Sequence, residues 1–113
     1  MFIRSRCYYV YILTNQQRTV LYTGVTNDLE QRITEHYRSR GQSDSFTGKY
    51  HAYYLLYYEP HQYINNAIAR EKEIKHWRRE KKMMLINDFN PGLEFLNEKV
   101  FGCWPPKEQP RRF

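Results

Sequence analysis

The chain has 113 residues, the length of one domain, and 41% of them are hydrophobic, which is enough for a modest core. Its 18 basic and 12 acidic residues give a net charge of +6, which favours a polyanionic partner but also suits a merely basic soluble protein. The sequence has no apolar run of membrane-spanning length and no secretory signal, so we expect a cytoplasmic location. Cys7 and Cys103 lie far apart without metal-ligand spacing, which argues against a zinc site and favours two free thiols.

Residues 1–6 form a short basic lead-in, and the two apolar-aromatic runs that follow predict a β-hairpin. These runs, residues 8–13 and 20–25, are separated by a polar segment. If the turn is centred between residues 16 and 17, Tyr11 lies opposite Tyr22, and the two phenol groups share one face of the sheet. Gly24 would let the backbone pass close to whatever lies between these groups.

A helix is expected directly after the hairpin, over about residues 28–40. Asn27 is a suitable N-cap, and Glu30 lies three residues later, as in a capping box. Apolar residues recur at helical spacing on the face that carries His36, and Arg32 precedes His36 by one turn. Residues 41–49 have the composition of a loop.

The second half of the chain predicts one more strand and then helices. Residues 50–58 are aromatic and almost uncharged, which predicts a third strand ending at Glu59-Pro60. Residues 61–82 predict the longest helix, and residues 83–89 a second, shorter helix that is broken at Asn90-Pro91-Gly92.

The remaining residues complete a small α/β layer structure. Residues 93–100 predict one further helical turn, and the proline-rich tail, residues 101–113, is expected to be irregular. The first two strands are antiparallel because their connection is short, whereas the pairing of the third strand stays open from the pattern alone.

Glu71 falls in the middle of the apolar stripe of the long helix. Four side chains define this stripe: Ile64, Ala67, Ile68 and Ile74. A carboxylate at this position is expected to be partly buried, and it must then pair with a cation or bind a metal ion. The alternative is a common surface pair with Lys75, four residues later.

The rest of the long helix is densely basic. Arg78 falls on the line of Glu71 two turns later, and the opposite flank carries a run of cations: Arg70, Lys72, Lys75, Arg79, Lys81 and Lys82. Such a flank is either a solvated face or, together with the aromatic residues, a nucleic-acid surface. The sequence has no glycine-rich phosphate loop, so we expect no organic cofactor.

These motifs resemble those of the GIY-YIG nuclease superfamily over roughly residues 7–90, and most closely those of its small single-domain bacterial members. Three family motifs have counterparts here: Tyr9-Val10-Tyr11, Tyr22-Thr23-Gly24, and the pair Arg32 and His36. Tyr9, Val10 and Thr23 depart from the residues that name the family, whereas both tyrosines and the second glycine are kept. The resemblance implies a three-stranded antiparallel sheet flanked by helices, with a nuclease domain over residues 7–100.

The resemblance also implies a role for each candidate residue. A phenol is a poor base at neutral pH, unless cations or a neighbouring base assist it. Tyr11 would activate water or act as general base with the help of Tyr22, and His36 would shuttle a proton or hold Tyr11. Arg32 would stabilise the charge on the phosphate. Glu71 would bind Mg²⁺ or Mn²⁺, which take carboxylate oxygen.

Each of these residues also has a structural interpretation. Strand tyrosines commonly pack, a helical arginine such as Arg32 is commonly solvated or ion-paired, and a lone histidine such as His36 is commonly a satisfied, partly buried side chain. Asn90 could match an asparagine found late in the family pattern, for which Asn87 competes, although a helix end before a proline explains Asn90 equally well.

The preferred hypothesis is a metal-dependent endonuclease that hydrolyses phosphodiester bonds in DNA, and kinship suggests repair or recombination. Four residues are expected to contact the DNA: Lys49, Arg70, Lys75 and Arg78. The alternative is a catalytically inactive nucleic-acid-binding module of the same fold. A third reading is a protein-interaction domain that uses its tyrosine-rich surface, and it predicts no salt-dependent DNA binding.

Overall fold

A three-stranded antiparallel sheet with helices packed on both faces forms the centre of the computed structural model, which describes residues 7–107. The strands are β1 (Tyr8–Thr14), β2 (Leu21–Thr26) and β3 (Tyr54–His61), and their order in the sheet is β2-β1-β3. The helices are α1 (Leu29–Arg38), α2 (Phe46–Tyr50), α3 (Ile64–Lys75), α4 (Arg79–Phe89) and α5 (Asn97–Phe101). The predicted α+β class and antiparallel sheet are confirmed.

The ends of the chain are described only in part. The predicted basic lead-in, residues 1–6, and the last six residues of the predicted tail lie outside the described residues. Residues 102–107 of the tail contain neither helix nor strand. None of the helices within residues 7–107 is long and apolar enough to cross a membrane.

The central strand β1 is buried on both faces because it has a strand on each side and a helix layer above and below. Val10 and Ile12 point to the face covered by α3 and α4, where Ala67 and Ile74 complete the packing. The odd-numbered residues of β1, including Tyr11, point to the face covered by α1. Alternate side chains of a strand point to opposite faces, so the sequence position of Tyr11 fixes the side of the sheet on which Tyr11 and the residues of α1 meet.

The predicted hairpin register is wrong by two residues. Tyr11 pairs with Gly24 and Leu13 pairs with Tyr22. The turn covers residues 15–20, one position later than expected, and the side chain of Asn15 organises it, because its Oδ1 accepts hydrogen bonds from the backbone N–H groups of Thr19 (2.8 Å) and Val20 (3.3 Å). A shift of two residues preserves the face, so Tyr11 and Tyr22 still lie on the same side of the sheet, now diagonally.

Helix α1 and the segment after it also differ from the prediction. The N-cap is Asp28 rather than Asn27, and its Oδ1 accepts the backbone N–H of Gln31 at 3.0 Å. Residues 41–49 are not simply a loop, because Ser45 caps the short helix α2 through a hydrogen bond from the N–H of Gly48. His51 ends α2 in a left-handed conformation with φ 54°.

Strand β3 begins four residues later than predicted and runs through Glu59-Pro60 to His61. The later start follows from α2, which takes up residues 46–50. Proline is tolerated here because β3 is an edge strand, where a missing N–H need not break a ladder bond. The register shifts between Ile12 and Leu13, which leaves Leu56 as an extra residue in β3.

The predicted long helix is interrupted at residues 76–78, so α4 begins at Arg79 rather than at Met83. Arg78 has extended backbone angles (φ −65°, ψ 154°) and therefore does not continue the line of Glu71. The interruption contains neither glycine nor proline. It lets Ile74 of α3 and Ile86 of α4 enter the same core from two directions, so tertiary packing overrides local helix propensity.

Candidate functional site

The ring of Tyr11 lies across Gly24, the residue that faces it on β2. Tyr11 is 1% exposed. A Cβ atom built on Gly24 would lie 2.4 Å from the Tyr11 hydroxyl oxygen, which is closer than real Cβ contacts allow. Gly24 is therefore required by the ring of Tyr11, and the close approach expected at this glycine is made by the candidate catalytic residue itself.

The Tyr11 hydroxyl belongs to a hydrogen-bond chain that connects β1, α1 and α2. Its oxygen lies 3.1 Å from Nε2 of His36, and Nδ1 of His36 lies 2.9 Å from the hydroxyl of Thr47. Two hydrogen arrangements fit these distances. Either His36 accepts the Tyr11 proton and donates to Thr47, or Thr47 donates to Nδ1 and His36 donates to Tyr11. The chain can thus pass a proton in either direction.

Burial keeps both groups of this chain neutral. It raises the pKa of Tyr11, and neighbouring Tyr22 adds to the increase, whereas the positive charge of Arg32 lowers the pKa. Burial, and then the charge of Arg32, lower the pKa of His36 to about 4, against an opposing contribution from Glu35. At neutral pH His36 is therefore an uncharged imidazole in contact with an uncharged phenol.

Tyr22 and Arg32 complete the group at the surface. The ring of half-buried Tyr22 lies 5.5 Å from that of His36 and 6.4 Å from that of Tyr11, measured between centroids. The guanidinium of Arg32 donates to Glu35 at 2.8 Å, so the expected ion pair is present, and Arg32 is still close enough to affect the pKa of Tyr11. Tyr22, Arg32 and His36 line an open cleft of about 360 Å³.

Glu71 is buried, and it pairs with Lys75. The residue is 8% exposed, as expected from its place on the apolar stripe, and its Oε1 accepts from Nζ of Lys75 at 2.7 Å. This hydrogen bond, opposed by partial burial, raises the pKa of Lys75. Lys75 Nζ also lies 5.9 Å from the centre of the Tyr22 ring, so it bridges the carboxylate and the tyrosine group.

Glu71 supplies carboxylate oxygen, a donor type that suits Mg²⁺ better than zinc. Within residues 7–107, no three His, Cys, Asp or Glu side chains cluster closely enough to hold a metal ion. Zinc needs three or four such ligands, whereas Mg²⁺ is commonly bound through one or two carboxylates, water and substrate phosphate. Glu71 offers one buried carboxylate with a single cationic partner, which matches the second pattern.

The four predicted DNA contacts fall in different places. Lys49 is exposed on α2, and Lys75 is at the site. Arg70 is instead held by carboxylates: Nε lies 3.1 Å from Oε2 of Glu59 on β3, and its guanidinium also pairs with Glu73. Arg78 is exposed at the start of α4. The structure thus brings Lys75 to the tyrosine group, while Arg70 extends toward the opposite edge strand.

Asn90 has a structural role, whereas Asn87 is exposed on α4. The buried Asn90 amide donates to the carbonyls of Leu56 (3.1 Å) and Glu94 (2.8 Å), and its Oδ1 accepts the N–H of Glu94. These bonds satisfy backbone groups where α4 ends and the following segment packs against β3.

Thr47 is the site residue that the sequence analysis missed. It is 11 positions beyond His36, in a segment interpreted as a loop, and no periodicity marks it. The available signal was local: Ser45 directly before Phe46-Thr47-Gly48 is a typical helix N-cap, and the short helix it starts turns Thr47 toward His36.

Comparisons with known proteins agree with this fold. The family model described as the GIY-YIG catalytic domain matches residues 7–84. The UPF0213 protein of Staphylococcus aureus strain Mu3 is 35% identical over 81 residues, which are 72% of this chain and 95% of that protein, and UPF0213 protein SA0446 of strain N315 matches to the same extent. The solution NMR structure of UPF0213 protein BH0048 from Bacillus halodurans superposes with a TM-score of 0.51 at 29% identity, covering 81% of this chain and 95% of that one.

Proposed function

Because the chain belongs to the GIY-YIG catalytic domain family, we propose that it is a metal-dependent endonuclease that hydrolyses phosphodiester bonds in DNA. Membership in the family implies endonuclease activity in general. The observation that supports this particular chemistry is the contact between Tyr11 and His36, with Tyr22 and Arg32 at the mouth of the same cleft. We further propose a role in repair or recombination.

Tyr11 would act on the attacking water with His36 as its proton partner. A neutral phenol cannot take a proton from water until it has lost its own, and Nε2 of His36 is positioned at 3.1 Å to receive that proton. Burial opposes the loss, since it raises the pKa of Tyr11. Loss of the proton therefore needs more positive charge beside the phenol than the free protein supplies, and Arg32 is the resident group that already acts in this direction.

Arg32 would stabilise the charge that grows on the phosphate. Its guanidinium is exposed at the cleft, and its partner Glu35 is exposed as well, so the pair costs little to open. A phosphodiester offers the guanidinium two oxygens in a geometry that matches its paired N–H groups. We propose that Arg32 exchanges Glu35 for the scissile phosphate when DNA enters.

Glu71 would hold the metal ion, and Lys75 would change partner. Bound by Glu71, a divalent ion such as Mg²⁺ or Mn²⁺ would supply positive charge beside the scissile phosphate and the leaving oxygen. Lys75 now pairs with that carboxylate, and it is free to pair with a DNA phosphate once the carboxylate is taken. Lys49 and Arg78 would contact the DNA backbone from exposed positions, whereas Arg70 would first have to leave Glu59 and Glu73.

DNA binding without cleavage is the second candidate function. Two observations favour it: burial raises the pKa of Tyr11, and Lys75 already neutralises the carboxylate of Glu71. Both are properties of the protein before substrate arrives. The two candidates therefore differ only in what happens when metal and DNA are supplied together.

The test is a titration of Mg²⁺ and Mn²⁺ with supercoiled, nicked and branched DNA. Wild-type protein is compared with Glu71→Gln, which keeps the side-chain shape and removes the charge. Glu80→Gln is the control, because it makes the same change at an exposed position of α4. The proposal predicts metal-dependent cleavage by wild type and Glu80→Gln, and none by Glu71→Gln, with DNA binding kept in all three. Binding without cleavage in all three would establish the second candidate.

A further inference from the structure

Helix α2 presents two aromatic side chains to solvent beside the candidate site. Phe46 is 44% exposed and Tyr50 is 40% exposed, and the two occupy the same helix face one turn apart. Their ring centroids are 4.7 Å apart. The ring of Phe46 also stacks on Tyr22, with 6.0 Å between centroids and 26° between planes. A continuous row of three rings thus runs from the tyrosine group outward along α2.

Positive charge accompanies this row of rings. Nζ of Lys49 lies 5.4 Å from the centre of the Tyr50 ring. At the inner end, Phe46 lines the same cleft as Arg32, Tyr22 and His36. Exposed aromatic faces beside cations are the combination by which proteins bind single-stranded nucleic acid, because bases stack on the rings while phosphates meet the charges.

We infer that Phe46 and Tyr50 form a stacking surface for the unpaired bases of a DNA strand whose backbone enters the cleft beside Tyr22 and His36. The identity of the ligand as DNA rests on the proposed function. The rings select an unpaired strand because the base faces of a duplex are covered by their neighbours, and uncovering them costs energy. Both rings are exposed, and the cleft that Phe46 lines is open rather than enclosed, which suits an extended strand better than a single flipped base.

The experiment measures stacking directly, with an oligonucleotide that carries 2-aminopurine, whose fluorescence is quenched when it stacks. Binding is measured in EDTA, so that no cleavage occurs, with the single strand and with the same sequence as a duplex. The variants are Phe46→Leu and Tyr50→Leu, which keep apolar bulk and remove the aromatic face. Phe89→Leu is the matched control, because Phe89 is 46% exposed and packs on Tyr57 and Tyr58 instead.

The inference predicts that wild type and Phe89→Leu quench the probe and bind the single strand alike. Phe46→Leu and Tyr50→Leu should each bind it roughly 5- to 100-fold more weakly, with less quenching and unchanged affinity for the duplex. Unchanged single-strand affinity in both variants, while wild type still cuts DNA, would overturn this inference alone. A wild-type protein that neither binds nor cuts DNA would overturn the proposed function and this inference with it.

Discussion

Mild acid is expected to destabilise the protein through a single buried side chain, His36. Burial and the charge of Arg32 lower its pKa from 6.5 to about 4. The unfolded chain therefore binds a proton at pH 5 that the folded chain does not. Stability is complete above the unfolded pKa, falls as pH decreases from about 6.5 to about 4, and levels off below, where both states are protonated.

The two pKa values set the size of this effect. At about 1.4 kcal/mol for each pKa unit, the full difference is about 3 kcal/mol, of which about 2 kcal/mol is lost between pH 8 and pH 5. Glu59 does not interfere in this range. Burial raises the pKa of Glu59, but hydrogen bonds from Tyr57 and His61 and the charge of Arg70 outweigh burial and bring this pKa below 4.5. The stability that the Glu59 carboxylate contributes is therefore lost only at more acidic pH.

Urea unfolding at pH 8 and pH 5 measures the effect. Wild type is compared with His36→Gln, which removes the titrating group, and with His51→Asn, which removes an exposed imidazole and suits the left-handed backbone at that position. Between pH 8 and pH 5, the free energy of unfolding should fall by about 2 kcal/mol more in wild type and His51→Asn than in His36→Gln. An equal loss in wild type and His36→Gln would refute the reasoning, because it would mean that His36 titrates alike in both states.

Three further predictions concern the packing and charge of the site. Gly24→Ala should lower the free energy of unfolding by about 1–3 kcal/mol and slow cleavage, because the new Cβ collides with the Tyr11 ring; urea unfolding and a cleavage assay report this. Lys75→Met should bind Mn²⁺ several-fold more tightly than Lys72→Met, measured by electron paramagnetic resonance, since only the former removes the cation paired with the buried carboxylate. Asn90→Ala should cost about 1–3 kcal/mol in urea unfolding, because it leaves buried backbone groups unpaired.

The sequence predicted the side of the sheet better than the register. Alternation identified one face carrying Tyr11 and Tyr22, and a shift of two residues leaves that face unchanged. The shift itself comes from Asn15, whose side chain bonds the turn backbone, a local interaction that binary patterning does not contain. Alternation of apolar residues therefore made the fold class predictable, whereas the exact pairing of the strands depends on contacts in the turn that alternation does not show.

For the helices, the sequence predicts local features, whereas features that depend on tertiary packing are missed. The apolar stripe correctly predicted that Glu71 is buried, because helical periodicity is a property of the sequence. The interruption at residues 76–78 was not predictable, since no proline or glycine marks it and the packing of Ile74 and Ile86 decides it. Thr47 was missed because its contact with His36 depends on the placement of α2 against α1.

A single-turnover cleavage assay tests most directly whether the buried phenol of Tyr11 takes part in the chemistry. Wild type, Tyr11→Phe and Tyr9→Phe are compared with Mg²⁺ and a labelled branched oligonucleotide. Tyr9→Phe removes the same hydroxyl from a residue that packs on Tyr58 instead. We expect Tyr11→Phe to bind the DNA normally and to cut it roughly 100-fold more slowly or slower still, while Tyr9→Phe cuts like wild type. Equal cleavage rates in all three proteins would contradict the account.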